Sequence, residues 1–296
     1  MEQFNFKGTG VALITPFNKD ETIDWEAFKA IIDHCIDGGL DYLVLQGTTG
    51  ESPSITQAER EELIVFTAKY VAKRCPLVLG LGGNSTYQVV YALQHTNLQG
   101  YQAILSVCPY YNKPNQMGII AHYQQVADNS PLPIILYNVP GRTGVNMTSE
   151  TQLILAKHPN IIATKEASGD IEQMMSIIKN KPLNFELISG DDSLTFPILC
   201  VGGIGVISVI AQLIPKHFSN MVRLSLAGKV TEASILHYGS LDLCRAIFKD
   251  GSPGGIKHLL HQAGFCQTTL RLPLVNINNS TADLLAETWL DFNKKF

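Results

Sequence analysis

The chain has 296 residues, 45% hydrophobic and 16% charged, which suits one large α/β domain or a barrel with an appendage. A net charge of −4 with no Lys/Arg run excludes a general nucleic-acid binder, and no stretch reaches the ~18 uninterrupted apolar residues of a membrane-spanning helix. The six cysteines (Cys35, Cys75, Cys108, Cys200, Cys244 and Cys266) form no Cys-x-x-Cys pair, and free buried thiols in a reducing cytosol account for them.

The opening Met1-Glu-Gln-Phe-Asn-Phe-Lys7 lacks the basic start and apolar core of a signal peptide, so a cytoplasmic protein is expected. The first β-rich apolar run covers residues 11–15. After Asp24, a plausible N-cap, Phe28, Ile31, Ile32, Cys35 and Ile36 form an i, i+3, i+4, i+7, i+8 stripe that Gly38-Gly39 stops. A second run at 42–45 precedes Thr56 with Glu59, and a third at 77–80 precedes Ser85 with Gln88; both residue pairs fit a capping box. Further runs follow at 103–107, 134–137, 161–164, 185–188 and 205–209. Eight near-continuous apolar runs read as parallel strands buried on both faces. Their spacing fits βα units, so the expected fold is a (β/α)8 TIM barrel, with an open doubly wound sheet as the alternative. After residue 227 the strand signal ends, and 229–248, 254–264 and 280–295 look helical. The expected division is therefore a catalytic barrel over 1–227 and a C-terminal helical appendage over 228–296, packed on it.

In a barrel, reactive residues come from the C-terminal ends of strands and the loops just beyond them. Those places hold Gly47-Thr-Thr-Gly-Glu-Ser52, Cys108-Pro-Tyr-Tyr-Asn-Lys-Pro114, Tyr137-Asn-Val-Pro-Gly-Arg-Thr143, Thr164-Lys-Glu-Ala-Ser168 and Ser189-Gly-Asp-Asp192, with Ile207 in strand eight. Lys165 is the pivotal residue: a lysine desolvated in an apolar strand is a nucleophile suited to Schiff-base chemistry. The alternative is a lysine that snorkels to the rim or pairs with Glu166. Tyr137, on the adjacent strand, offers a phenol able to shuttle protons, although a structural tyrosine is the default for one such position. Thr48 and Thr49 offer hydroxyls and backbone N–H groups to a carboxylate, although Gly-Thr-Thr-Gly is also an ordinary turn composition. Arg142 follows Pro140-Gly141, a turn that presents a guanidinium fork suited to carboxylates, although a lone exposed arginine is usually just solvated. No His-Glu-x-x-His, phosphate loop or complete dinucleotide fingerprint occurs, and Asp191-Asp192 is read as capping the next helix. No redox cofactor and no catalytic metal are expected.

Taken together, Gly47-Thr-Thr-Gly-Glu51, Pro109-Tyr-Tyr-Asn-Lys-Pro114, Tyr137-Asn-Val-Pro-Gly-Arg142 and Lys165-Glu-Ala-Ser168 resemble the dihydrodipicolinate synthase/N-acetylneuraminate lyase family, from about Gly8 to about Gly264. The resemblance implies that Lys165 forms an imine with pyruvate and that Tyr137 acts as acid and base in a relay with Thr48 and Tyr111. Tyr111 would be donated into a neighbouring subunit's site, within a homotetramer built as a dimer of dimers. Thr49, Gly190 and Ile207 would hold pyruvate. Arg142 would receive aspartate 4-semialdehyde, making the product 4-hydroxy-tetrahydrodipicolinate in lysine and diaminopimelate synthesis. Another pyruvate aldolase acting on a sugar acid is the alternative, and a catalytically silent metabolite-binding barrel is a contrasting one.

Departures from the family pattern are Cys108, where a small hydroxyl residue is expected, and Gly255 in Ser252-Pro-Gly-Gly-Ile-Lys257, where relatives commonly keep a proline. The glycine is expected to loosen that turn without touching the chemistry. In lysine-inhibited relatives an allosteric pocket lies near the segments matching residues 52–55, Asn84 and Tyr110. A histidine and a glutamate of that pocket correspond to Arg60 and Gln88 here, so weak or absent lysine inhibition is expected.

Overall fold

Strands buried on both faces must close on themselves or be covered, and here they close. The computed structural model describes residues 6–296; the start of the stretch read for a leader, up to residue 5, lies outside the described residues. The strands are β1 (Gly8–Ala12), β2 (Tyr42–Leu45), β3 (Leu77–Gly80), β4 (Ala103–Val107), β5 (Ile134–Asn138), β6 (Ile161–Glu166), β7 (Glu186–Ser189) and β8 (Gly205–Ser208). They pair in parallel, in sequence order, and β8 closes on β1 with Gly8 opposite Gly205 and Gly10 opposite Ile207. The closed barrel is therefore the fold, and the open-sheet alternative is set aside.

Two strand boundaries differ from the sequence reading for physical reasons. β1 starts three residues earlier than the apolar run, on Gly8-Thr9-Gly10, because bulk is excluded there. A Cβ on Gly10 would lie 2.2 Å from the Tyr42 ring, and one on Gly8 would lie 2.2 Å from an Asp41 carboxylate oxygen. β6 runs two residues further than its apolar run and takes in Lys165 and Glu166, whose backbones continue the ladder to Tyr137, Asn138, Ile188 and Ser189.

Between the strands lie α1 (Trp25–Asp37), α2 (Gln57–Val71), α3 (Thr86–His95), α4 (Gln116–Asn129), the single turn α5 (Pro140–Thr143), α6 (Ser149–Leu155), α7 (Ile171–Asn180), α8 (Thr195–Cys200) and α9 (Pro215–Leu226). Asp24 caps α1 by accepting from the Ala27 N–H, and Gly38-Gly39 ends it. Thr56 and Glu59 form the full capping box of α2. Ser85 caps α3 from one side, its hydroxyl accepting from the Gln88 N–H. Two apolar clusters result: an inner one that fills the barrel with residues such as Val44, Leu105, Ile135, Ile188 and Ile207, and an outer one between strands and helices.

Three helices follow, α10 (Val230–Ala246), α11 (Gly254–Gln262) and α12 (Asn279–Lys295), with α10 packed on α9 and α12. The Lys257 ammonium, on α11, meets the Glu51 carboxylate at 2.5 Å with both side chains fully buried. Gly255 corrects the expectation of a loosened turn. A Cβ there would lie 2.3 Å from the Ile247 carbonyl oxygen, so glycine lets α11 approach the end of α10 closely. No helix among the described residues is long and apolar enough to cross a membrane.

Candidate active site

The parallel register of β5 and β6 sets Tyr137 opposite Lys165 and Asn138 opposite Glu166. Side chains alternate across a strand, so the first two face the barrel interior and the second two face the helices. Lys165 is 5% exposed, and its Nζ stands 4.4 Å from the centroid of the Tyr137 ring. It neither snorkels nor pairs with Glu166, whose carboxylate is instead surrounded by Asn138, Gln152, Gln173 and the Ser168 N–H. Gly190 lies against the lysine stem: a Cβ there would sit 3.1 Å from Lys165 Cε, and its N–H donates to the Glu166 carbonyl.

Above this pair opens a cavity of about 580 Å³ lined by Thr48, Thr49, Tyr137, Arg142, Lys165, Gly190 and Asp191 among others. Leu105, Val139 and Val209 supply apolar wall. Thr48 opens a 3₁₀ turn (Thr48–Gly50) after β2, and Glu51, at φ 54, turns the chain back. The Thr15 hydroxyl donates to the Gly50 carbonyl at 2.7 Å, which anchors the turn to the barrel. Arg142 is carried by α5, where Pro140 fixes the first position and the Arg142 and Thr143 N–H groups both donate to the Val139 carbonyl.

Asp191 and Asp192 are structural rather than a side-chain cap on α8. Asp191 accepts from the Ser193 and Leu194 N–H groups and closes the turn before that helix. Asp192 reaches across to accept from the Val209 and Ile210 N–H groups, at 3.0 and 2.9 Å. Burial pushes the Asp192 carboxyl up to about 6, against those hydrogen bonds and one from Ser208. Among the described residues, no group of three or more His, Cys, Asp or Glu is placed to hold a metal ion.

The residues singled out from the sequence thus divide. Lys165, Tyr137, Thr48, Thr49, Arg142 and Gly190 converge on one cavity. Ile207 belongs to the inner core cluster with Tyr137, and Val209 takes the place in the cavity wall. Tyr111 stands apart: it is 87% exposed, with φ 71, and is not among the residues that line the cavity above Lys165.

The C-terminal helices contribute residues that strand-end reading missed: Cys244, Arg245, Phe248, Gly251 and Ser252 complete the cavity wall. No sequence period marks them, because the contact joins the end of α10 and the loop before α11 to strand ends and loops of the barrel that lie well upstream in the chain. Ser252, in the same turn as Gly255, lines the cavity, while Gly255 itself does not.

A second cavity of about 320 Å³ adjoins the first, sharing Thr48, Leu105, Tyr137, Val139 and Arg142 and adding Gln46, Ser52, Arg60 and Tyr110. The Arg60 guanidinium donates to the Ser52 carbonyl at 3.0 Å. Burial lowers its pKa, an effect that the neighbouring Tyr110 opposes.

Comparison with known proteins gives the family and the fold. The model of the dihydrodipicolinate synthetase family matches residues 5–289. The chain is 51% identical over 288 residues to a 4-hydroxy-tetrahydrodipicolinate synthase of Parabacteroides distasonis, with 97% of each chain covered. The structure of a chloride-inhibited dihydrodipicolinate synthase of Acinetobacter baumannii, complexed with pyruvate, superposes with a TM-score of 0.95 at 33% identity, covering 98% of this chain and 99% of that one. That of a Cyanidioschyzon merolae relative with lysine bound gives a TM-score of 0.93 at 38% identity, covering 97% of this chain and 98% of that one. By its barrel, its strand-end motifs and its similarity along nearly its whole length, the chain belongs to the dihydrodipicolinate synthetase family.

Proposed function

We propose that the chain is a class I lyase that condenses pyruvate, held as a Schiff base on Lys165, with L-aspartate 4-semialdehyde to give 4-hydroxy-tetrahydrodipicolinate, in lysine and diaminopimelate synthesis. The observation that carries this reading is Lys165 Nζ set 4.4 Å above the Tyr137 ring on the floor of a cavity rimmed by Arg142.

In the proposed sequence the Lys165 amine adds to the ketone carbon of pyruvate, and the carbinolamine loses water to leave the imine. Tyr137 supplies the proton that lets hydroxide leave as water and later takes up a proton. Loss of a proton from the pyruvate methyl gives the enamine, which attacks the aldehyde carbon of the second substrate. Its amino group then adds to the imine carbon, closes the ring and expels Lys165. Thr49 and Gly190 border the place where the pyruvate carboxylate would lie, with Ile207 packed beneath it. Arg142 supplies a two-toothed cation for the second carboxylate.

Thr48 and Tyr111 complete the proposed proton relay, with Tyr111 supplied by a second copy of the chain. An exposed tyrosine in the left-handed region costs on the order of 1–3 kcal/mol, a strain that suggests a partner surface holds it. Exposed Tyr87, Tyr91 and Met117 extend that surface along α3 and α4. We accordingly read the assembly as a dimer of dimers acting in the cytoplasm. We read residues 1–227 as the catalytic barrel and 228–296 as the helical region that closes its mouth.

Treatment with borohydride in the presence of pyruvate tests the mechanism. A reduced adduct mapped to Lys165 is expected; its absence, or its appearance on another lysine, sinks the Schiff-base reading. Turnover of aspartate semialdehyde against sugar-acid aldehydes tests the choice of substrate.

A further inference from the structure

One residue beyond the reacting pair, Asn138 and Glu166 are fully buried on the opposite face of the same two strands. The Asn138 amide nitrogen donates to both Glu166 carboxylate oxygens, at 3.0 and 3.1 Å. Gln152 on α6 donates to the same carboxylate at 2.8 Å, Gln173 on α7 at 3.1 Å and the Ser168 N–H at 2.9 Å. The Met147 N–H donates to Asn138 Oδ1 at 3.0 Å, which fixes the amide with its NH₂ toward the carboxylate. Among the described residues no basic side chain is ion-paired with Glu166.

A buried carboxylate without a counter-ion is expensive, and packing alone is served as well by a neutral residue. The ladder below it supplies a reason for its presence. Between β5 and β6 the register shifts at Ile134/Ile135, so the pairing near the site does not simply continue from the bottom of the barrel. The alignment of Tyr137 with Lys165 needs a lock above the slip.

We infer that Asn138 and Glu166 are that lock: positioning residues whose hydrogen bonds hold β5 against β6 and thereby set the distance from phenol to amine. The inference rests on the Schiff-base reading of Lys165. Small displacements of reacting groups are costly, since a misplacement of ~1 Å removes up to ~100-fold in rate.

The test is rapid-quench borohydride trapping of the pyruvate adduct at saturating pyruvate, with the KM for pyruvate and the melting temperature measured alongside. Glu166→Gln turns an NH₂ group against donors. It is expected to slow adduct formation about tenfold or more while the KM for pyruvate stays within about twofold. The exchange Asn138→Asp/Glu166→Gln reverses donor and acceptor, preserves the cross-strand bond and is expected to recover most of the rate. Gln173→Leu, at a half-buried helix position, removes one outer donor and is expected to slow the same step about threefold.

Wild-type rates per folded molecule in Glu166→Gln, or a folded exchange variant no faster than the single, would overturn the lock. If Glu166→Gln does not fold, the other two variants decide, and wild-type adduct formation by Gln173→Leu overturns it. No adduct in the wild-type protein overturns the Schiff-base reading along with the lock, whereas an adduct there confines any failure to the lock.

Discussion

Arg142 has its position from a four-residue turn rather than from burial: Pro140 sets the backbone, and the guanidinium stands exposed at the cavity rim. Its proposed partner is the carboxylate of the aldehyde substrate, which arrives only after pyruvate has reacted. Arg142→Ala should therefore leave formation of the Lys165 adduct intact and lower kcat/KM for aspartate semialdehyde by ~2–4 kcal/mol, the loss of a charge-assisted pair. Steady-state rates set against adduct-trapping rates check this, and an equal loss in both steps removes the role assigned to Arg142. The positions of Lys165, Tyr137, Thr48 and Arg142 were legible in sequence because barrels present chemistry at strand ends, where the hydrophobic period breaks. Arg245, Phe248 and Ser252 were not, since they reach the cavity through tertiary packing of helices whose own patterns carry no mark of it. Tyr111 was found only by resemblance, and within one chain its side chain has no place in the site.

At the scale of elements, the C-terminal segment is tied to the loop that bears Thr48 and Thr49 by buried charge. Glu51, one residue past that 3₁₀ turn, accepts from Lys257 at 2.5 Å and from the Arg271 N–H at 3.1 Å, while Lys257 also donates to the Thr269 carbonyl at 2.9 Å. Burial draws the Lys257 amine below its usual range and Glu51 opposes that. Lys257→Met should strand a buried carboxylate and cost ~3–5 kcal/mol, with Glu51→Gln/Lys257→Met recovering much of it. Urea midpoints measure both, and a single variant as stable as the wild type refutes the tie.

A second link has a pH signature. Arg271 holds the Glu59 carboxyl down at about 2, from an ordinary value of 4.5, chiefly by hydrogen bonding. A depressed carboxyl gives stability that is present above its unfolded value and lost as pH falls through the folded one. Acidification from about pH 5 to about pH 2 should thus remove on the order of 1–2 kcal/mol after solvent screening, and Glu59→Gln should flatten that part of the melting curve against pH. A variant with an unchanged acid slope contradicts it. The caps on these elements were readable because Asp24, Thr56 and Ser85 act within one turn of their own helix. The contacts of Lys257 and Gly255 were not, since their partners lie on other elements.

On the scale of the whole molecule, a second copy would complete the site under the proposed function, and feedback by lysine is a separate property. Arg60 and Gln88 align by spacing with the histidine and glutamate of lysine-inhibited relatives. Arg60 is half-buried in the wall of the smaller cavity, beside Ser52 and Tyr110. Gln88 is exposed near the start of α3 and lines neither cavity described here. The cavity wall therefore offers a fixed cation, and the anion that would pair with a side-chain ammonium is missing at position 88. Two like charges ~4 Å apart repel by about 1 kcal/mol even in bulk water, and more beside a protein surface. The lost charge-assisted hydrogen bond adds ~1.5–3 kcal/mol, so lysine affinity should fall at least about tenfold relative to a pocket with the histidine and glutamate. Initial rates titrated with lysine at fixed pyruvate and aldehyde should show little or no inhibition. Arg60→His/Gln88→Glu, which puts back the pair, should gain sensitivity without changing the uninhibited rate. Half-inhibition of the wild-type protein well below millimolar lysine would show that Arg60 turns away from the ligand and that the cavity binds an ammonium without the glutamate.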